Sequence, residues 1–252
     1  MRRHVIKLTR GVKPAYLTDE VVEDLTAQYR ATGNSVWNRK AIKNPLLESS
    51  FSKCAYCEVD VSEESKYMEV EHFRLKESFP DLVVDWDNLL PSCKRCNGRK
   101  GTYNVEVDGE IINPYDTLPS AHMYFQNYRL RWRDEMGRRT IIDALYLNDS
   151  ERLVSVRMKV GESVCSALET IRSDLESYQL GDATARKWAK IVRGIEKLLK
   201  EAQPESPFSA LVATVLLADP DYIWIRGELS AFPDWEELAL LEASAQNLVL
   251  VL

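Results

Sequence analysis

Apolar residues recur at helical spacing along the chain from residue 149 to the end. One series, with i, i+3 and i+4 spacing, comprises Val154, Met158, Gly161, Cys165, Leu168, Ile171 and Leu175. After Gly181-Asp182, which is predicted to end this helix and cap the next, a second series comprises Trp188, Ile191, Val192, Ile195 and Leu199. Further helices are predicted from Ser206-Pro207 to about residue 218 and over about 233–246. The pattern predicts a helical domain over 149–252, with Cys165 as a buried, inert thiol.

The chain before residue 149 mixes helical and strand periods. Thr18 is a predicted N-cap for a helix over about 19–31, a second helix covers about 35–43, and Asn44-Pro45 begins a short third helix. Alternation predicts a strand over 68–73 that pairs with residues 83–86, and a short helix over 89–99.

Turn signals predict the remaining strands of this first part. A β-hairpin is predicted over 103–112 around Asp108-Gly109, a turn over 113–116, and further strands over 123–126 and 128–132. The predicted fold class is α+β, with a boundary at about residue 148.

Charge is distributed unevenly along the chain. The net charge of −6 comes entirely from residues 149–252, which carry 11 basic and 17 acidic side chains, whereas residues 1–148 carry 22 of each. An acidic helical part suits a protein partner, and a neutral first part with basic clusters can still bind phosphates. These clusters are Lys94, Arg95, Arg99 and Lys100, and then Arg129, Arg131, Arg133, Arg138 and Arg139. The second cluster could line a DNA path or form a solvated hairpin.

Location is predicted from two further features. The sequence has no run of about 18 apolar residues, and its start lacks the apolar region of a secretory signal. We therefore expect a cytoplasmic protein that does not bind membranes.

Two Cys-x-x-Cys pairs, Cys54 with Cys57 and Cys93 with Cys96, lie about 35 residues apart. In a reducing compartment such pairs indicate metal ligands rather than disulfides. Four thiolates complete the tetrahedral coordination of a zinc ion, so this ion is predicted to be structural. A zinc deaminase would require His-x-Glu upstream of the second pair, and the sequence has Glu71-His72 instead.

Between the cysteine pairs lie Glu71-His72 and Asn88, and Asn97 follows Cys96. This arrangement resembles the HNH endonucleases of the zinc-stapled type, whose site carries an acidic-His pair on a strand, a middle Asn, and a His or Asn on a helix. The resemblance implies a ββα-metal core at about 51–101, flanked by N-terminal helices and followed by the C-terminal helical bundle.

The same resemblance implies the role of each residue. His72 would take a proton from the attacking water, Asn88 would orient His72 through its ring N–H, and Glu71 and Asn97 would hold Mg²⁺ or Mn²⁺. The acidic residue is Glu where Asp is commoner, which leaves open whether Glu71 or Glu69 reaches the metal. Lys94, Arg95, Arg99 and Lys100 would bind flanking phosphates, unless they form a solvated helix face.

The first half of the chain also resembles the HNH nuclease subunit of Septu-type antiphage systems, including those associated with retrons. The segments that carry this resemblance are Ile6–Arg10, Lys53–Glu58, Val70–Arg74, Trp86–Leu90 and Asn113–Asp116. That family implies a DNA substrate and a partner ATPase of the ABC type, for which the acidic helical domain would be a docking surface. Two alternatives remain: a restriction or homing nuclease that acts alone, and a zinc-stapled binding module without turnover. An RNA target also remains open.

Overall fold

The computed structural model describes residues 7–62 and 68–251, which fall into two compact units. The cysteine unit comprises Lys7–His122 and Trp132–Leu147, with residues 63–67 outside the described part, and the helical unit comprises Met123–Arg131 and residues 148–251. The segment Met123–Arg131 is thus grouped with the C-terminal helices, whereas the sequence predicts a single boundary at about 148. The chain combines helices with two small two-stranded sheets, as expected for an α+β protein.

The first helix, α1 (Asp19–Thr32), confirms the predicted N-cap. The Thr18 hydroxyl accepts a hydrogen bond from the Val21 amide at 3.3 Å. The helix ends at Gly33, whose φ of 69° lies in the left-handed region that glycine adopts without strain. Leu25 anchors the helix in the core, where it is buried.

The next segment forms one helix, α2 (Lys40–Ser49), rather than the two that were predicted. Pro45 lies inside this helix and Asn44 is not its N-cap. A proline there removes one backbone hydrogen bond. Ile42 and Leu46, one turn apart, are fully buried and hold the helix together across the proline.

The cysteine unit is built around β1 (Met68–His72), β2 (Leu89–Cys93) and α3 (Lys94–Lys100). The strands are antiparallel, with Met68 opposite Cys93 and His72 opposite Leu89. The predicted strand over 68–73 is confirmed. Two other predictions are wrong: residues 83–86 do not pair with β1, and residues 89–93 are strand rather than helix. β2 is buried along its whole length, so it lacks the alternation by which a half-buried strand is detected.

Residues 103–112 form turns instead of the predicted hairpin. The Asn104 amide donates to Asp108 Oδ2 at 2.8 Å, and the Tyr103 hydroxyl donates to the Gly109 carbonyl at 2.8 Å. These side chains satisfy backbone groups that a strand pair would otherwise use. The turn over 113–116 is confirmed by the bond from the Asp116 amide to the Asn113 carbonyl, 3.0 Å long.

The extended segment before α1 is fixed at the entrance to β2 by Arg10. Its guanidinium donates to the carbonyls of Leu89 (2.9 Å) and Asp87 (3.0 Å), and lies 3.9 Å from the ring centroid of Tyr115. The Leu8 amide donates to the Pro114 carbonyl at 2.8 Å. The lead-in and the 113–116 turn thus both support the strand pair.

A second sheet pairs β3 (Met123–Gln126) with β4 (Arg129–Trp132) through the two-residue turn Asn127-Tyr128, which confirms both predicted strands. The short helices α4 (Pro119–His122) and α5 (Glu135–Arg138) flank this hairpin. Two π-helical segments follow, Arg139–Ala144 and Ser150–Val154.

The helical unit contains α6 (Ser155–Gln179), α7 (Ala185–Glu201), α8 (Ser209–Ala218), α9 (Pro220–Leu229) and α10 (Trp235–Gln246). Their apolar faces share one core that includes Leu168, Ile195, Leu216 and Tyr222. Helix α9 was not predicted; Asp219 caps it by accepting from the Asp221 amide at 2.8 Å.

Two details of these helices differ from the prediction. Thr184, not Gly181-Asp182, caps α7. Cys165 is half-buried rather than buried, and desolvation raises the pKa of its thiol to about 11. Across residues 7–62 and 68–251, no helix combines the length and apolar character needed to cross a membrane.

Gly161 provides a test of how the β3–β4 hairpin packs on α6. A Cβ at Gly161 would lie 2.3 Å from Cε1 of Tyr128, the second turn residue of the hairpin. We expect Gly161→Ala to lower the free energy of unfolding by about 1–3 kcal/mol, because the ring must move. The helical Gly227 has nothing within 4 Å of such a Cβ, so Gly227→Ala should raise stability by up to about 1 kcal/mol. Urea denaturation of both variants measures the difference, and equal stabilities would contradict the packing.

Candidate metal and hydrolytic site

The four cysteine sulfurs converge on one point. The Sγ atoms of Cys54, Cys57, Cys93 and Cys96 all lie within 4.8 Å of one another, and those of Cys57 and Cys93 are 3.7 Å apart. Zn–S bonds of 2.3 Å at tetrahedral angles would separate sulfurs by about 3.8 Å. The cluster can therefore hold a metal ion, as the spacing of the pairs predicts.

Local structure shapes each cysteine pair. The Cys54 amide donates to the Val59 carbonyl at 2.9 Å, and the Cys96 amide points at Cys93 Sγ at 3.4 Å. Burial raises the pKa of the Cys54 thiol, but hydrogen bonds from Cys57, Cys93 and Cys96 outweigh it and hold this pKa well below its ordinary value. The network thus favours the thiolate, the form that binds metals, at Cys54, whereas the hydrogen bonds with neighbouring cysteines raise the pKa of Cys57 and of Cys96.

His72 lies at the end of β1 in a cleft of about 510 Å³. Its Nε2 is 2.9 Å from the Val83 carbonyl. A carbonyl can only accept, so Nε2 carries the proton and Nδ1 keeps a lone pair. Burial, the largest cause, together with the nearby Lys76 and Lys100, lowers the pKa of His72 to about 4. The ring is therefore neutral at pH 7 and can accept a proton at Nδ1.

Asn88 does not orient His72, contrary to the sequence prediction. Its Oδ1 accepts from the Arg74 amide at 2.7 Å, and its Nδ2 donates to the carbonyls of Leu82 (3.0 Å) and Arg74 (3.2 Å). Asn88 thus ties the chain after β1 to the loop before β2. The residue that orients the imidazole is Val83, which sequence reasoning missed because a backbone carbonyl is available at every position.

Glu71 and Lys100 form a buried ion pair. Lys100 Nζ lies 2.7 Å from Glu71 Oε1 and donates to the His72 carbonyl at 2.7 Å. Burial raises the pKa of Glu71 to about 7, although Lys100 opposes the shift. Lys100, which the sequence predicts to bind a flanking phosphate, has a side chain that is only 1% exposed and that holds α3 against β1.

Asn97 lies in the same cleft and contacts Glu69 rather than Glu71. Its Nδ2 donates to Glu69 Oε2 at 2.7 Å. Glu69 and Glu71 are two residues apart on β1 and so point to the same face of the strand. Glu69, Glu71 and Asn97 all line the cleft together with His72. The candidate oxygen ligands and the candidate base singled out in the sequence are therefore in one cleft.

The remaining cations of α3 differ in their surroundings. Arg95 donates to the Leu145 carbonyl at 3.1 Å and to the Tyr146 carbonyl, so it ties α3 to the 139–147 segment. Lys94 and Arg99 are exposed, with the Arg99 guanidinium 5.3 Å from the ring centroid of Tyr146. None of these three residues lines the cleft described above.

Comparison with known proteins shows to which family this chain belongs. No family model matches the chain. The Septu protein PtuB of Bacillus thuringiensis is 42% identical over 248 residues, which cover 97% of this chain and 95% of that protein. This chain belongs to the Septu PtuB family.

More distant relatives agree with this PtuB assignment. A Septu protein PtuB of Bacillus mycoides is 26% identical, covering 89% of this chain and 93% of that protein. The retron Ec83 putative HNH endonuclease of Escherichia coli is 26% identical over 71% of this chain and 80% of that protein. The resemblance to Septu and retron-associated proteins is thereby confirmed.

Because four cysteines form the sulfur cluster of this PtuB family member, we expect the removal of one cysteine to weaken metal binding. Cys57→Ser should reduce the bound metal from about one ion per chain to a small fraction, because three thiolates hold a tetrahedral ion poorly. Elemental analysis of the purified protein measures it, with the half-buried Cys165→Ser as the control that keeps its metal. Full metal retention by Cys57→Ser would contradict the four-sulfur site.

We expect removal of the Asn88 hydrogen bonds to lower the stability of the protein. Asn88→Ala leaves the Arg74 amide and the Leu82 carbonyl without their partner, which should lower the free energy of unfolding by about 2–4 kcal/mol. Asn44, exposed on α2, provides the control: Asn44→Ala should change stability by less than about 0.5 kcal/mol. Chemical denaturation of both variants gives the comparison, and a stable Asn88→Ala protein would show that these bonds matter little.

Proposed function

We propose that this protein is a metal-dependent HNH endonuclease that hydrolyses phosphodiester bonds in DNA, and that it is the nuclease effector of a bacterial antiphage system. The observation that carries the proposal is His72: its Nε2 is fixed by the Val83 carbonyl, which leaves Nδ1 as a base, and the residue lines one cleft with Glu69, Glu71 and Asn97. In this proposal, β1, β2 and α3 are the ββα core, closed by a structural zinc ion on the four cysteines.

A divalent cation fits the donor set of the cleft. Carboxylate and amide oxygens are the ligands that Mg²⁺ and Mn²⁺ prefer. The Asn97 amide nitrogen donates to Glu69, so its oxygen is the atom suited to a cation, together with a carboxylate of Glu71 or Glu69. A Mg²⁺ or Mn²⁺ ion held there would supply positive charge to a phosphate oxygen and to the leaving 3′ oxygen.

The residues of the chain would perform the proton transfer. His72 Nδ1 would take a proton from a water molecule as the oxygen of that water bonds to the phosphorus atom and the bond from phosphorus to the leaving 3′ oxygen breaks. The bond from Nε2 to Val83 keeps the ring in place and stabilises the positive charge that develops on it. Lys100 fixes the Glu71 carboxylate and the backbone of His72, so that base and cation ligands keep one geometry.

The defence role is supported by the relatives. One is named as a Septu protein and another as a retron endonuclease. In the proposed system the nuclease acts in the cytoplasm with an ATPase subunit of the ABC type. The acidic helical unit would be the docking surface for it, and it exposes apolar side chains such as Leu240 (74%) and Ile223 (57%).

Plasmid cleavage tests the catalytic assignment. Zinc-loaded protein with Mg²⁺ or Mn²⁺, alone and with the ATPase encoded beside it, should nick or linearise plasmid DNA. His72→Ala should lower the rate by about 100-fold or more, since it removes the general base. His122→Ala is the matched control, because His122 lies outside the cleft and is bonded to Asp134, and it should cut like wild type.

Each other outcome has a definite meaning. Cleavage by His72→Ala at the wild-type rate would contradict the assignment of the base. Cleavage of RNA but not DNA in the same assay would change the substrate. Cutting at one defined sequence without the ATPase would favour a restriction or homing nuclease over a defence effector.

A further inference from the structure

The cleft has a second wall that is not part of the β1–β2–α3 core. Its lining combines residues of that core, among them Glu69, Glu71, His72 and Asn97, with a second group that we call the second wall: Ser35, Trp37, Asn38, Lys43 and Lys76. Three of the second group belong to the connection between α1 and α2, and Lys43 belongs to α2 itself. A site of about 510 Å³ is thus shared between the core and the N-terminal helices.

Trp37 is in direct contact with the candidate base. Its ring meets the His72 ring edge-on, with centroids 4.5 Å apart and an interplanar angle of 81°. The ring of Tyr29 on α1 also packs against Trp37, with ring centroids 5.8 Å apart. An edge-to-face stack on this scale fixes ring orientation, so the imidazole is held by Val83 at one nitrogen and by Trp37 at its side.

The second wall also carries two lysines that line the cleft, in addition to Lys100, which is paired with Glu71. Lys76 Nζ lies 5.8 Å from the centroid of Trp37 and pairs with Glu77, which is 55% exposed, at 2.8 Å. A pair this exposed is weak and can be exchanged for a phosphate. Lys43 lines the same cleft, whereas Lys94, Arg95 and Arg99 of α3 do not.

We propose that this second wall binds the substrate strand: Lys43 and Lys76 bind phosphates next to the scissile one, and Trp37 is a positioning residue that holds His72. The proposal rests on the proposed nuclease function and adds to it the residues that grip the nucleic acid. It assigns phosphate binding to the lysines of the second wall, whereas the sequence singled out the cations of α3.

The salt dependence of binding tests the two lysines. Binding of a labelled DNA duplex, and of its single strand, is measured with the full chain without added Mg²⁺ or Mn²⁺. Each lost phosphate contact reduces the slope of log Kobs against log[salt] by about 0.9 for a duplex and about 0.7 for a single strand. The double variant Lys43→Gln, Lys76→Gln should therefore lower the duplex slope by about 1.8 and weaken binding about 10-fold or more.

A matched double variant controls for net charge. Lys13 and Lys40 belong to the same unit but do not line the cleft, so Lys13→Gln, Lys40→Gln should leave the slope near that of wild type. Zinc content and circular dichroism show that each variant is folded. Equal slopes for the two double variants would overturn the proposal, as would a wild-type protein without salt-dependent binding.

Cleavage kinetics test Trp37. Trp37→Ala should reduce kcat about 10-fold or more with KM changed less than about 3-fold, because the base loses orientation while the phosphate contacts remain. Trp37→Phe, which keeps an aromatic edge against His72, should recover most of kcat. Equal loss in both variants, or a loss in KM alone, would show that Trp37 does not position the base.

The binding and cleavage results separate this proposal from the proposed function. Cleavage that depends on His72 but not on Lys43, Lys76 and Trp37 would leave the nuclease intact and overturn the second wall. Binding that depends on the two lysines without His72-dependent cleavage would retain the strand-binding surface and reject the hydrolytic assignment.

Discussion

The convergence of four sulfurs determines where the rest of the cysteine unit can lie. Cys57 and Cys93 are 36 residues apart in the chain, yet their sulfurs are 3.7 Å apart. An ion there would close the loop that contains both strands, and its binding energy would become folding energy. Cys93 is also the residue opposite Met68 in the strand pair. The cluster therefore anchors β2 at Cys93, and a slip of β1 by one residue against β2 would turn His72 to the other face.

The basic residues of α3 differ in what they bind. Lys100 forms a buried ion pair with Glu71 and donates a hydrogen bond to the His72 carbonyl. Such a pair adds little net stability, but removing one partner leaves an uncompensated buried charge and costs about 3–5 kcal/mol. Arg95 is likewise occupied by backbone carbonyls. Two of the four cations on α3 are thus structural, and the other lysines that line the cleft, Lys43 and Lys76, come from outside α3.

Sequence reasoning succeeded where chemistry restricts residue type and failed where backbone geometry decides. Only thiolates and a few side chains suit a closed metal site, so the four cysteines and the neighbouring His72 could be singled out from spacing. The carbonyl of Val83 carries no such signal, and β2, buried along its whole length, has no alternation to read. In sequence Lys100 resembles Lys94 and Arg99, the exposed cations of the same helix, and no local signal marks it as the one that is buried against β1. Trp37 lies 35 residues before His72, and no local pattern predicts that contact.

Because the hairpin β3–β4 is grouped with the helical unit, the chain crosses between the two units more than once. Between His122 and Asn148 the chain passes from the cysteine unit to the helical unit, returns, and leaves again. Within its own unit the hairpin is secured by Asn148, which bonds both polar groups of Leu130, and by the Leu250 carbonyl, which accepts from the Phe125 amide at 2.9 Å. A single protease cut at one crossing would therefore leave the units covalently joined, and a gene shortened at residue 148 would encode a hairpin deprived of its partners. The cysteine unit and the helical unit therefore cannot be separated by a single truncation, which limits how freely evolution can exchange either one.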